Sequence, residues 1–275
     1  MSASLYTLCF EDMSKRLALF IASCVVLVAS AEERDSCSPI PGAERLWARS
    51  ELRFVLVGEM HGTNETPAVF GDLVCSASET KRTIIAGLEV RDQQALNRFM
   101  DSKNRETSVK ELLSTDEWKG TDGRASSAML VLVERLRSLK ADGLLSRVIA
   151  FSASGGSAAQ DEEAMSSALL RASTANPGAL VIVLTGNVHA SKQELSEVGS
   201  YRLMGSFLPP AETVSLLVTD RGGEAWNCQD GSCGPHTLAS SAGVTRAITL
   251  ISPHVGYDGV LATGLSVTAS KPANR

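Results

Sequence analysis

Aromatic residues make up only 5% of the chain, so ring platforms for stacking bases or sugars are scarce. A cationic excess is missing too. The 26 basic residues stand against 31 acidic ones, a net charge of −5, which excludes a binder of phosphate backbones. The sequence has no C2H2 zinc-finger spacing, no heptad array and no repeat of roughly 20–50 residues. It has no Gly-x-Ser-x-Gly elbow, which disfavours a serine hydrolase. Gly155-Gly156-Ser157 lacks the lysine of a phosphate-binding loop. Hydrophobic residues are not in short supply: at 44%, with 21% charged, they exclude disorder as the main state. A chain of 275 residues suits one large domain or two small ones. No linker rich in Pro, Gly and Ser divides it. The expected organisation is a signal segment over 1–31, an N-terminal arm over 32–44, one α/β domain over 45–270 and a tail over 271–275.

The start of the chain reads as an export signal. Lys15 and Arg16 form a positive n-region, Leu17 to Ala29 an apolar h-region, and Ala29-Ser30-Ala31 a small-residue cleavage site. Met13 offers an alternative start. The apolar run falls short of the about 20 residues of a membrane span, so no stable span is expected after cleavage. Cys24 ends a lipidation-like box, but the apolar run continues past it, which favours plain cleavage after Ala31. Removing 1–31 takes away Glu11, Asp12, Lys15 and Arg16, and so leaves the net charge at −5. It also removes Cys9 and Cys24. Cys37, Cys75, Cys228 and Cys233 remain, an even set in a periplasmic or secreted protein, where oxidising conditions favour disulfides over metal. Cys228 and Cys233 flank a tight hairpin-like loop and are the better pair; Cys37 with Cys75 follows by elimination.

Short apolar runs alternate with helical patterns. Phe54 to Val57, Thr83 to Leu88, Arg147 to Phe151 and Leu180 to Leu184 read as buried strands. Between them lie predicted helices over 64–78, with Asn64 as N-cap, and over 91–100, 109–114, 125–140 and 158–172. In the helix over 125–140, Met129, Leu132, Val133, Leu136 and Leu139 recur at helical spacing. Asp122 can cap that helix, and Arg124 can reach an anionic group. The helix over 158–172 opens with Asp161, Glu162 and Glu163, as its dipole favours. This order predicts an α/β fold, a mostly parallel central sheet flanked by helices. Thr213 to Val218 and Arg246 to Ile251 add strands in the C-terminal third, extending the sheet or forming a small antiparallel addition.

The chemistry falls at the strand ends, where open α/β sheets bind ligands. The first strand is followed by Gly58-Glu59-Met60-His61-Gly62, the second by Glu89, and the fourth by Thr185-Gly186-Asn187-Val188-His189-Ala190. Each residue has a bland reading: His61 or His189 as a hydrogen-bonded turn histidine, Glu89 as a cap for the following helix. Together, two carboxylates and two imidazoles on one sheet edge point to a shared site. Such a cluster either holds a divalent metal or makes a histidine the base for a water molecule. His236 and His254 lie in Gly/Pro-flanked loops and read as surface residues.

Val57-Gly58-Glu59-Met60-His61-Gly62-Thr63, Gly87-Leu88-Glu89 and Gly186-Asn187-Val188-His189-Ala190 resemble the superfamily of erythromycin esterase, ChaN-like haem-binding proteins and Tiki/TraB proteins, in particular its bacterial ChaN/Tiki-type members. The resemblance covers about residues 52–192. It implies an α/β sheet with its site at the strand ends. The esterase branch implies His61 as base for water, with Glu59 and Glu89 in support. The Tiki branch implies metal-dependent peptide cleavage, with Glu59, His61 and His189 as candidate ligands; with Glu89 they make up the cluster that could hold a divalent metal. The ChaN branch implies haem, held by His61 and His189; Tyr201 and Tyr257 are the only tyrosines after residue 31 and stand outside these motifs. The expectation is therefore an exported hydrolase. Water, activated by His61 or by a bound metal, attacks an ester or amide of a small molecule or peptide, and Asn187 or backbone N–H groups steady the oxyanion. The alternative is haem or metal-ion capture without turnover.

Overall fold

The computed structural model describes residues 37–195, 198–241, 245–251 and 254–275; the expected signal segment lies outside them. A single turn, α1 (Glu44–Trp47), leads into β1 (Phe54–Glu59), α2 (Glu65–Ala77) and β2 (Ile84–Leu88). Helices α3 (Gln93–Asp101), α4 (Arg105–Ser114) and α5 (Ser127–Ala141) precede β3 (Arg147–Ala150). Then come α6 (Ala158–Thr174), β4 (Leu180–Gly186) and the one-turn α7 (Asn187–Ala190). The C-terminal third holds β5 (Thr213–Thr219), the pair β6 (Gly223–Gln229) and β7 (Ser232–Leu238), β8 (Ala247–Thr249) and β9 (Gly259–Ala262).

The central sheet has seven strands in the order β3-β2-β4-β1-β5-β9-β8, parallel except for the β8–β9 edge. The α/β architecture expected from the alternation is therefore what the chain adopts. Every residue of β1, β2 and β4 is buried, which is why these strands read as continuous apolar runs rather than alternating ones. Strand β4 slots between β1 and β2, although 90 residues or more separate their partners in the sequence: Leu56 sits opposite Val183, and Ala86 opposite Ile182. The core on one face joins Phe54 and Leu56 to Phe151, Met165, Leu169, Val181, Val183 and Met204.

Local signals are mostly met, with three corrections. The apolar stripe of α5 is buried as spaced, but its cap is Ser126, whose Oγ accepts from the N–H of Met129 at 3.3 Å; Asp122 pairs with Arg124 instead. Asn64 does not cap α2; its amide donates to Thr268 Oγ1 at 2.9 Å, so the far end of the chain closes that helix start. The segment over 271–275 is no loose tail: Ser127 donates its N–H to Lys271 O at 2.8 Å, and Ala273 its N–H to Ala125 O at 3.0 Å. The Cys228–Cys233 disulfide forms as expected, across the β6–β7 pair, and Cys37 and Cys75 are disulfide-bonded too. Among the described residues, no helix is long and apolar enough to cross a membrane.

Phe54 opens β1 and is 1% exposed in the core cluster. Replacing it with Ala is expected to cost about 3–5 kcal/mol of unfolding free energy, measured by urea denaturation. A loss below about 1 kcal/mol would mean that β1 does not anchor the sheet.

Candidate functional site

Register brings the site together. Glu59, the last residue of β1, lies opposite Gly186, the last of β4, and Glu89 follows directly on β2. The side chains of Glu59, His61, Glu89 and His189 converge at this carboxyl edge, as the sequence placed them. His61 Nδ1 is 3.0 Å from Glu59 Oε1, and its Nε2 is 3.5 Å from Glu89 Oε2. His189 Nε2 is 3.7 Å from the other oxygen of the same carboxylate, Glu89 Oε1. Glu89 is thus the hub between two imidazoles. It also accepts hydrogen bonds from Thr185 Oγ1 at 2.7 Å and from the N–H of Gly186 at 2.6 Å. It does not cap a helix: Asp92 caps α3.

Two glycines make room for this arrangement. A Cβ on Gly186 would stand 3.1 Å from His61 Nε2 and 3.5 Å from Glu89 Oε2, so a side chain there would wedge the pair apart. Gly62 turns the chain just after His61 at φ +85°, where an added Cβ would strike the carbonyl of Trp226. Gly62 O accepts the N–H of Trp226 at 2.8 Å, and the indole N–H of Trp226 donates to Thr121 O at 3.0 Å. The disulfide-closed β6–β7 pair thereby braces both the His61 turn and the loop that carries Asp122 and Arg124.

Arg124 reaches the anionic group that its position suggested. Its Nη1 is 3.5 Å from Glu89 Oε1, while Nε and Nη2 bond Asp122 Oδ2 at 2.9 and 2.5 Å. Asn187 opens the turn that carries His189; its Oδ1 accepts from the N–H of Val188 at 2.9 Å, and its amide nitrogen is the side-chain donor it could offer an oxyanion. Sequence reasoning missed Glu162. Its Oε1 is 2.7 Å from His189 Nδ1, and its Oε2 accepts the N–H of Met204 at 2.7 Å. A signal was present: Glu162 sits in line with Met165, Ser166 and Leu169 at helical spacing, an acid on the buried face of α6.

Burial and charge pull the site's protons in opposite directions. Glu59 and Glu89 are 4% and 6% exposed, whereas the imidazoles of His61 and His189 are 22% and 30% exposed and within reach of solvent. Burial would drive the His61 imidazolium to give up its proton. The negative charge of Glu89 and the bond to Glu59 outweigh it and lift the His61 pKa to about 10. Burial likewise works against ionised Glu89. His61, His189 and the Gly186 N–H overcome it and hold this carboxyl well below the usual range. His189 is raised as well: Glu162 and Glu89 overcome its burial, but the charge of His61 opposes its proton. Glu59 is pushed up, chiefly by burial, and its Oε2 has no hydrogen-bond partner.

The resemblance implies a divalent metal or a haem at this edge. Among the described residues, no group of three or more His, Cys, Asp or Glu side chains is arranged to hold a metal ion. Glu59, His61, Glu89 and His189 are instead joined directly to one another as ion pairs. A haem tyrosinate is not offered by Tyr257: its hydroxyl donates to Asn187 O at 2.7 Å, and burial pushes its pKa up to about 12.

No established family profile and no curated protein matches the chain. Among solved structures, a Bacillus cereus protein known from its crystal structure is similar at a TM-score of 0.53 and 14% identity, over 86% of this chain and 95% of that one. The type III effector HopBA1 is similar at a TM-score of 0.49 and 14% identity, over 83% of this chain and 97% of that one. A structure described as bacterial protein toxins aligns with 68% of this chain and 38% of its own, at a TM-score of 0.42 and 15% identity. At these identities the likeness shows the fold alone.

The proton balance predicts how stability varies with pH. His61 binds its proton more tightly folded than unfolded, so its contribution is complete below about pH 6.5 and drains away as pH rises toward about 10. Glu89 does the reverse: its contribution is present above its ordinary pKa of 4.5 and is lost as pH falls. The melting temperature of wild type is therefore expected to fall from pH 6.5 to 10 more steeply than that of His61→Asn. Parallel slopes would show that His61 is not held as an imidazolium by its carboxylates.

Proposed function

We propose that this chain is an exported hydrolase of the erythromycin esterase/ChaN/Tiki superfamily, acting in the periplasm or outside the cell on an ester or amide of a small molecule or peptide. The observation that carries this reading is the placement of two imidazoles on either side of one buried carboxylate, each backed at Nδ1 by a carboxylate of its own. That layout gives the site an acid and a base in different proton states, the condition for pushing a reaction from both ends. His61 holds its proton through neutral pH and is the acid. His189 is assigned as the base: Glu162 and Glu89 raise its pKa against burial, and the neighbouring charge of His61 opposes its proton.

In the proposed reaction, His189 Nε2 takes a proton from the attacking water as its oxygen bonds the carbonyl carbon. His61 gives its Nε2 proton to the departing oxygen or nitrogen as that bond breaks. The proton gained by His189 then returns to His61 through solvent, and the site is restored. Glu89 stabilises both imidazolium states between them, and Arg124 limits the negative charge that Glu89 presents to the substrate. The Asn187 amide nitrogen is the donor assigned to the oxyanion, since the N–H groups of Gly186 and Val188 are already spent on Glu89 and on Asn187 Oδ1. The site's cations support an acyl rather than a phosphoryl substrate: His61, His189 and Arg124 each already face a carboxylate within 3.7 Å, so none is left over to neutralise a phosphate. The disulfides fit an oxidising compartment.

The test is a panel of ester and peptide substrates. His61→Ala and His189→Ala are each expected to lower kcat by about 100- to 10,000-fold, the usual worth of a general acid or base. Wild-type kcat is expected to rise as His189 loses its proton and to fall again near pH 10 as His61 does. Turnover unchanged in both variants would remove the imidazoles from the mechanism.

A further inference from the structure

Glu162 is a carboxylate that the fold keeps almost fully from water, at 3% exposure, on a helix whose remaining inward residues are Met165, Ser166, Leu169, Ala172 and Ser173. An acid in such a position is costly unless both oxygens are satisfied. Both are. Oε2 accepts the N–H of Met204 at 2.7 Å, a backbone donor that cannot rotate away, and Oε1 meets His189 Nδ1 at 2.7 Å. The carboxylate is therefore fixed by a peptide group on one side and spends its other oxygen on an imidazole. His189 needs such a hold. It lies in the four-residue α7, which begins at Gly186 with no side-chain cap, and its ring is 30% exposed.

We infer that Glu162 is the positioning residue of His189: it pins the ring and fixes the proton on Nδ1, so that neutral His189 presents a bare Nε2 on the side of Glu89. An ionised carboxylate only accepts hydrogen bonds, so Nδ1 must be the donor. A free neutral imidazole favours the opposite tautomer, with the proton on Nε2, where it could accept nothing from water. The site then consists of two carboxylate–imidazole pairs, Glu59–His61 and Glu162–His189, facing each other across Glu89. The pairs are not equivalent: Glu162 has its second oxygen anchored to the backbone, whereas the second oxygen of Glu59 has no partner. In the triads of serine hydrolases a buried carboxylate performs this orienting task for a catalytic histidine.

The catalytic consequence rests on the hydrolase reading; the tautomer does not. The experiment is therefore ¹⁵N NMR of the full chain with labelled histidine, at a pH where His189 is neutral. The chain has four histidines, and a His189→Asn variant identifies the signal. Wild type is expected to show a protonated Nδ1 and a bare Nε2. In Glu162→Ala the signal is expected to move to the Nε2–H pattern or to an average of both. Glu162→Asp, which keeps a carboxylate, is expected to restore the wild-type pattern in part. If Glu162→Ala does not fold, Glu162→Gln is read instead, with the same shift expected, because its amide cannot satisfy Met204 and His189 as two acceptor oxygens do. An unchanged Nδ1–H tautomer in a folded Ala or Gln variant overturns the inference, even where the melting temperature has dropped, since a purely structural role would lower stability and leave the ring alone. Where a substrate is turned over, kcat is expected to fall about 100-fold with little change in KM, the cost of a misplaced group. Absence of turnover in wild type counts against the hydrolase reading and leaves the tautomer result standing by itself.

Discussion

Glu89 carries a negative charge at the end of an apolar strand, 6% exposed, and the rest of the site can be understood as the answer to that burden. A carboxylate there is tolerable only when nearby positive charge and hydrogen bonds replace the water it has lost. Thr185 and the N–H of Gly186 supply two bonds from β4, and His61, His189 and Arg124 supply the charge. Each supplier depends on a different part of the chain. His61 follows β1, Arg124 precedes α5, and His189 follows β4. Bringing them within 3.7 Å of one carboxylate requires the strand order β2-β4-β1, with β4 inserted between its neighbours. The sheet therefore sets the electrostatics, and the electrostatics keep His61 protonated.

The C-terminal third adds β5, β9 and β8 to the central sheet and also supplies a brace. The β6–β7 pair is closed by the Cys228–Cys233 bond and gripped through Trp226 by the turn at Gly62 and by Thr121. Two loops at the carboxyl edge of the sheet, far apart in sequence, are thus tied to one short covalent staple. Residues Lys271 and Ala273 stitch the start of α5 in the same way. These ties fix Arg124 and His61 relative to Glu89 without adding to the core.

The fold was largely legible because buried parallel strands are continuous apolar runs, and β1 to β4 stand out as such. Strand β6 was not, since its sequence GEAWNCQ is polar and half-exposed, with no run or clean alternation; only the hairpin-like loop between its cysteines was readable. Strand β9, Gly259–Ala262, was not read as a strand either. Glu59, His61, Glu89 and His189 were legible from position, because each follows a strand that could be recognised. Arg124 was legible only as a cation seeking an anion, its partner Glu89 lying 35 residues away, and Glu162 left only the weak signal of an acid on the buried face of its helix, its partner His189 lying 27 residues on. The helix caps failed for a related reason. Asn64 is a fair cap by type, but a residue from the far end of the chain takes its amide.

The central claim is that two acids, Glu59 and Glu89, hold His61 as an imidazolium at the sheet edge. The most direct measurement is a pH titration of the four histidine side chains by NMR on the unmodified protein. The account predicts that the His61 signal keeps its imidazolium shift through neutral pH and titrates near pH 10. A His61 signal that titrates near pH 6.5, as a solvated imidazole does, would contradict it.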